Sequence, residues 1–89
     1  MKVSVLYFAS IRRKTGAREE RFEIEDGSSI SDLCTSICAS YPDLEAELET
    51  AMFAVNREIV SSDHGLCDDN EVAIFPPISG GHKPLMNGV

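Results

Sequence analysis

Ser29-Ile30-Ser31-Asp32-Leu33-Cys34-Thr35-Ser36-Ile37-Cys38-Ala39-Ser40-Tyr41 is the stretch on which the architecture turns. Ile30, Leu33, Cys34, Ile37, Cys38 and Tyr41 fall at i, i+3, i+4, i+7, i+8 and i+11, a single apolar stripe, with Ser31, Asp32, Thr35 and Ser36 off it. Ser29 stands three residues before Asp32, the spacing of a capping box in which each side chain satisfies the other's free amide, so a helix begins here. Pro42 interrupts it, because a proline disfavours helical backbone in the residue before it. A helix with one apolar face needs a sheet to bury it.

The flanking segments supply that sheet. Lys2 to Ala9 reads as a strand with Val3, Val5 and Tyr7 on one face and Lys2, Ser4, Leu6 and Phe8 on the other. A loop containing Ile11 to Gly16 follows, and Gly16 fits the connecting turn of an antiparallel hairpin to Arg21-Phe22-Glu23-Ile24-Glu25, whose Phe22 and Ile24 should point inward. Beyond Pro42, Asp43 to Glu49 is predicted as a short second helix resting on Leu44 and Leu48. Ala51 to Val55 and Glu58 to Val60 should pair as a hairpin across Asn56-Arg57. Ser61 to Asn70 is turn-forming and acidic, and Glu71 to Phe75 is the last strand, with Val72 and Ile74 in, Ala73 and Phe75 out. Two strands, a helix and three strands give an α+β fold, a mixed sheet with one main helix packed on one face, as in a β-grasp. In such a fold the first and last strands are central neighbours, which would bring Phe8 and Phe75 together on the uncovered face.

The 89 residues make one domain, and the balance of 8 Lys plus Arg against 15 Asp plus Glu gives a net charge of −7. That field repels phosphate backbones and anionic lipid heads, which excludes nucleic acid and membrane as favoured partners and leaves a basic protein surface as a better one. Three cysteines, Cys34, Cys38 and Cys67, form an odd set without framework spacing, which points to a reducing, cytoplasmic setting. The apolar run Val3 to Ile11 precedes the basic cluster Arg12-Arg13-Lys14, the inverse of a signal peptide's charge order, and no segment approaches membrane-spanning length.

The last strand runs into Pro76-Pro77-Ile78-Ser79-Gly80-Gly81. Adjacent prolines fix φ and remove ladder donors, so pairing stops, and paired glycines without Cβ atoms can enter a channel too narrow for side chains. A frayed terminus has the same composition. Position after a strand and Pro-Pro favours a functional arm, with chemistry done on the backbone itself.

Leu6-Tyr7-Phe8-Ala9 with Arg12, Ala54-Val55-Asn56, Val60-Ser61, Asp63-His64, and Glu71-Val72-Ala73 leading into Phe75-Pro76-Pro77 and Gly80-Gly81 together resemble the small subunits of molybdopterin synthase, the MoaD family of ubiquitin-like sulfur carriers. The likeness covers residues 2 to 81 and is strongest from Ala54 onward. It implies a carrier that is no enzyme by itself: Gly81, preceded by Gly80, is adenylated by an E1-like adenylyltransferase that consumes ATP, then thiocarboxylated from a sulfur donor protein. It further implies insertion of the tail into the large synthase subunit, a heterotetramer of two small and two large chains, and sulfur donation to cyclic pyranopterin monophosphate. Phe8, Ile59, Phe75, Pro76 and Pro77 would form the partner face around the root of the tail, with Arg12 as a polar contact. No cofactor or metal is implied on the carrier. A thiamine-type sulfur carrier, a ubiquitin-like modifier and a non-catalytic β-grasp interaction module are the alternatives.

In this family the chain ends at the second glycine, whereas here His82 to Val89 follow. With Gly81 in an internal amide there is no carboxylate to adenylate. The domain therefore runs from 1 to 81, and 82–89 is expected to be a disordered extension: a precursor tail cleaved after Gly81, an appended tail, or the start of a linker.

Other candidates weigh less. Cys34 and Cys38 lie one helical turn apart, as in a metal clip or redox pair, but both sit on the apolar stripe and no further ligands appear at useful spacing, so packing is expected. Cys67 falls in a turn without a basic neighbour to activate it. Asp63-His64 cannot by adjacency alone position a nucleophile, and a turn-organising role is expected. Arg12-Arg13-Lys14 reads as a solvated loop, and Asp43, Glu45, Glu47 and Glu49 as a solvated helix face that also steers toward basic partners.

Overall fold

The computed structural model describes residues 1–77; Gly80, Gly81 and the extension 82–89 lie outside the described residues. In chain order the elements are β1 (Lys2–Tyr7), α1 (Ala9–Thr15), β2 (Glu19–Glu23), α2 (Ile30–Ser40), a 3-10 turn over Pro42–Leu44, α3 (Glu45–Thr50), β3 (Met52–Val55), β4 (Glu58–Val60) and β5 (Glu71–Phe75). The strands form one sheet in the order β2-β1-β5-β3-β4. Only the central β1–β5 pair is parallel, placing Val5 opposite Val72 and Tyr7 opposite Ile74. The other three ladders are antiparallel.

One face of this sheet meets α2. Val3, Val5, Tyr7, Phe53, Val55, Val72 and Ile74 from the strands close on Ile30, Leu33 and Ile37 from the helix, and Leu44 and Leu48 extend the same core. The helix starts where the capping box requires: the Ser29 hydroxyl accepts from the Asp32 amide at 3.3 Å while the Asp32 carboxylate accepts from the Ser29 amide at 2.9 Å. The following amides of Ile30 and Ser31 donate to the carbonyls of His64 and Ser62, so the acidic loop before β5 also serves the start of α2. Leu66 anchors that loop in the core.

The β3–β4 hairpin turns as expected through Asn56 and Arg57, both left-handed at φ 49° and 75°. Two expectations are corrected. The segment after Phe8 is not a loop leading to a tight turn but the helix α1, held by the fully buried Ile11 and closed by Gly16, whose φ of 74° takes the left-handed cap for which a glycine is suited. It still links antiparallel strands, but as a plug at the end of the sheet, where Lys14 pairs with Glu47 of α3 at 2.6 Å. The strand predicted over Arg21 to Glu25 also lies earlier, over Glu19–Glu23. Ile24 is nonetheless buried, just past its end, and Phe22 is half-buried against the core.

Candidate functional site

Strand alternation sends the even-numbered residues of β1 and the odd-numbered residues of β5 to the face that α2 does not cover. The register then aligns them. Leu6 stands opposite Ala73, Ala73 opposite Ala54 and Ala54 opposite Ile59, an apolar row crossing four strands. A second row follows at the strand ends, where Phe75 pairs with Met52 and stacks on Phe8, ring centroids 4.6 Å apart at 22°. Ala54 is covered by these neighbours although it belongs to this outer face and not to the core. Phe8 at 39% and Ile59 at 64% exposure are the large apolar side chains left open to solvent among the described residues. A contiguous apolar face of this kind is a candidate binding surface.

The backbone fixes Phe8 at the end of β1. Its amide donates to the Ile74 carbonyl at 3.2 Å, and its own carbonyl accepts from Ile11 and Arg12 as α1 begins. Ala9 makes that reversal with φ 53°, a left-handed conformation that costs a non-glycine residue about 1 kcal/mol. Because the chain turns so sharply, Arg12 returns beside Phe8: Leu6, Tyr7, Phe8, Arg12, Arg18 and Glu19 line one open cleft of about 440 Å3. β5 ends on the same side at Phe75, followed by a half-buried Pro76 and an exposed Pro77. The structure thus gathers Phe8, Arg12, Phe75, Pro76 and Pro77 at one end of the sheet, and places Ile59 on the same face at the β4 edge. Leu6 and Ala73 take the outward positions that strand alternation gave them, while Met52 and Ala54 join this face only through the strand order and register.

Behind this face lies a polar cluster that the sequence did not announce. Glu20 lies opposite Val5 and so faces inward, where its carboxylate accepts from the Tyr7 hydroxyl at 2.8 Å and the Tyr41 hydroxyl at 3.0 Å. The two rings meet edge to face at 6.3 Å. Burial, and then the adjacent Glu20 carboxylate, push the Tyr7 phenol well above its ordinary value; for Tyr41 the hydrogen bond to Glu20 is the main cause of an upward shift. Both phenols therefore stay neutral donors, and the cluster ties β2 to β1 and to the end of α2.

The remaining candidates take structural positions. Cys34 and Cys38 are half-buried against the core, and burial pushes the Cys34 thiol up to about 11 and raises that of Cys38, the reverse of activation. Cys67 is exposed. Among the described residues no group of three or more His, Cys, Asp and Glu side chains is arranged to hold a metal ion. Asp63 accepts from the Ser61 hydroxyl and the His64 amide donates to the Ser61 carbonyl, so this pair shapes a turn. No helix among the described residues is long and apolar enough to cross a membrane.

The fold of this chain is shared with known proteins. The ThiS family model matches residues 5–81. The chain belongs to the ThiS family. The molybdopterin synthase sulfur carrier subunit of Chlamydomonas reinhardtii is 43% identical over 83 residues, covering 91% of this chain and all of that protein. That of Escherichia coli K12 is 35% identical over 81 residues, covering 89% of this chain and 99% of its own length. Among solved structures, a putative molybdopterin converting factor subunit 1 from Pyrococcus furiosus superposes with a TM-score of 0.78 at 33% identity, over 86% of this chain and 98% of that one.

Proposed function

We propose that this chain is the sulfur-carrier subunit of molybdopterin synthase, acting in the cytoplasm as a non-catalytic partner of a larger subunit. The observation that carries this reading is the coincidence of two ends: β5 stops at Phe75 within the apolar face, and the family match stops at Gly81, six residues farther on. Full-length relatives that are carrier subunits of that synthase support the same conclusion.

The chemistry follows from the carbonyl at Gly81. A carboxylate is a poor electrophile, so an E1-like partner first transfers adenylate from ATP to it, releasing pyrophosphate. The terminal sulfur of a donor persulfide then displaces AMP to give an acyl disulfide, and a second thiol attacks the donor-side sulfur, leaving as a disulfide with the donor and releasing a thiocarboxylate, an anionic sulfur nucleophile near neutral pH. Within the large subunit that sulfur attacks cyclic pyranopterin monophosphate, and a second charged carrier delivers the other dithiolene sulfur. The carrier binds no cofactor or metal of its own. Its folded body, with Phe8, Ile59 and Phe75 flanked by Arg12, Pro76 and Pro77, serves as the handle that both large partners hold, and Gly80-Gly81 as the reach. Residues 82–89 must be removed before Gly81 can be activated.

Intact-mass measurement tests the proposal. The purified chain, incubated with an E1-like adenylyltransferase, ATP and a sulfur donor in competent extract, should lose residues 82 to 89 and then exchange one terminal oxygen for sulfur. An unchanged mass would support a non-catalytic interaction module. Transfer of the charged terminus onto lysine amines would instead support a ubiquitin-like modifier, and sulfur delivery in thiazole synthesis a thiamine-type carrier.

A further inference from the structure

The apolar face has a basic margin beside Phe8, shared with the single carboxylate of Glu19. Arg12 and Arg18 line the cleft beside Phe8, and Arg12, Arg13 and Arg18 share a second, adjoining concavity with Ala9, Gly16 and Ala17. All three arginines are exposed residues. Among the described residues they enter no salt bridge and no side-chain hydrogen bond, although the chain carries 15 acidic residues. The other basic side chains nearby are committed: Lys14 pairs with Glu47 and Arg21 with Asp69.

Helix electrostatics accounts for part of this cluster. Arg12 and Arg13 lie in the last turn of α1, where cations meet the negative end of the helix dipole. Arg18 falls outside that explanation. It stands beyond the Gly16 cap, in the link to β2, and the left-handed turn at Gly16 brings it back beside Arg12. A protein with a net charge of −7 thus holds three unpaired cations together at the edge of its apolar face.

We infer that Arg12, Arg13 and Arg18 form an acid-reading margin of the docking face, which receives an acidic segment of the synthase large subunit and sets the orientation in which the carrier lands. This inference rests on the proposed function for the identity of the partner. The occupant's sign follows from charge complementarity, and its place from continuity with the Phe8–Phe75 surface. Charges at the rim of an interface act chiefly on encounter rate and alignment. With an otherwise acidic body and a basic margin, the carrier presents a directional field, so that a partner acidic opposite the arginines and basic elsewhere is approached in one orientation. Arg13 and Arg18 extend the polar contact well past Arg12.

Stopped-flow association with the purified large subunit tests this, comparing the wild-type carrier with Arg13→Glu/Arg18→Glu. At about 50 mM salt the variant should associate about tenfold more slowly, and the gap should close by about 1 M salt, where charges are screened within about 3 Å. Arg13→Lys/Arg18→Lys should keep most of the wild-type rate, while unchanged melting of each variant separates docking from folding. Should the double Glu variant unfold, Arg13→Gln/Arg18→Gln is read in the same way, with about a threefold slowing expected. Equal rates for wild type and variant at low salt would overturn the acid-reading margin while leaving the proposed function standing. A wild-type carrier that fails to bind the large subunit at any salt concentration would overturn both.

Discussion

Phe8 and Phe75 close the two central strands with a stacked pair, 4.6 Å between centroids, although most of the folded chain separates them in sequence. The parallel register that sets Tyr7 against Ile74 on the inner face delivers the next two side chains to each other on the outer one. The contact is therefore a product of the fold's central pairing and lies at the mouth of the proposed arm.

Phe75→Ala should weaken binding to the large subunit more than it weakens folding. A half-exposed ring contributes about 1 kcal/mol to stability, whereas an aromatic anchor at the centre of an interface is worth about 2 kcal/mol or more. Urea unfolding and calorimetric titration give the two numbers, and equal losses would mean that Phe75 acts as core. A double-mutant cycle with Phe8→Ala should return a coupling of about 0.5–1.5 kcal/mol in folding.

A chain ending at Gly81 should carry sulfur, and one ending at Gly80 should not, with nearly identical melting temperatures, because removal of a single terminal glycine removes little packing. Thiocarboxylate formation by mass spectrometry and thermal unfolding would decide it. A large fall in melting temperature would contradict the assignment of Gly81 to an arm.

Arg57→Gly should stabilise the fold by about 0.5–1 kcal/mol. Both turn residues of the β3–β4 hairpin sit at positive φ, where Asn56 is tolerated and a glycine at the second position relieves the strain Arg57 bears. A higher urea midpoint at unchanged slope would confirm this.

Stability should fall as pH rises above about 10. The folded protein holds the Tyr7 proton more tightly than the unfolded chain, which releases it near the usual phenol value of about 10, so the contribution is intact below that pH and is lost progressively above it. Tyr7→Phe should flatten the alkaline decline. Glu20→Leu, which leaves two tyrosine hydroxyls without their acceptor, should cost about 1–3 kcal/mol at neutral pH.

At pH 8 an alkylating reagent should modify Cys67 well before Cys34. Cys67 is exposed, whereas burial holds the Cys34 thiol up near 11 and leaves it almost wholly protonated. Peptide mapping over time would show the order, and prompt labelling of Cys34 would mean that α2 opens readily.

The strands and main helix were legible because each carried its own period and its own punctuation: the capping box at Ser29, the alternation through β1 and β5, the Asn56-Arg57 turn. α1 escaped because a seven-residue helix shows too few turns for a stripe, and Ile11 is its single buried residue. Its signals were present in another form, three basic residues followed by Gly16, which mark a helix end. The outer apolar face was only half visible. Phe8, Ile59 and Phe75 stand out by size, and alternation already turned Leu6 and Ala73 outward, but only the register joins them with Ala54 into one row. Likewise, nothing near Glu20 in sequence foretells two tyrosines from β1 and the end of α2, since that cluster exists only through tertiary contact.

The start of the chain is anchored at the opposite end of β1, where the Met1 ammonium donates to the Ile24 carbonyl at 2.8 Å and contacts Asp26 at 3.3 Å. The six residues of β1, Lys2 to Tyr7, span about 20 Å. A sensor chip, dye or fused protein joined before Met1 would therefore sit remote from the stacked phenylalanines. It would sacrifice only the ammonium contacts there and leave the opposite end free to engage whatever is flowed across it.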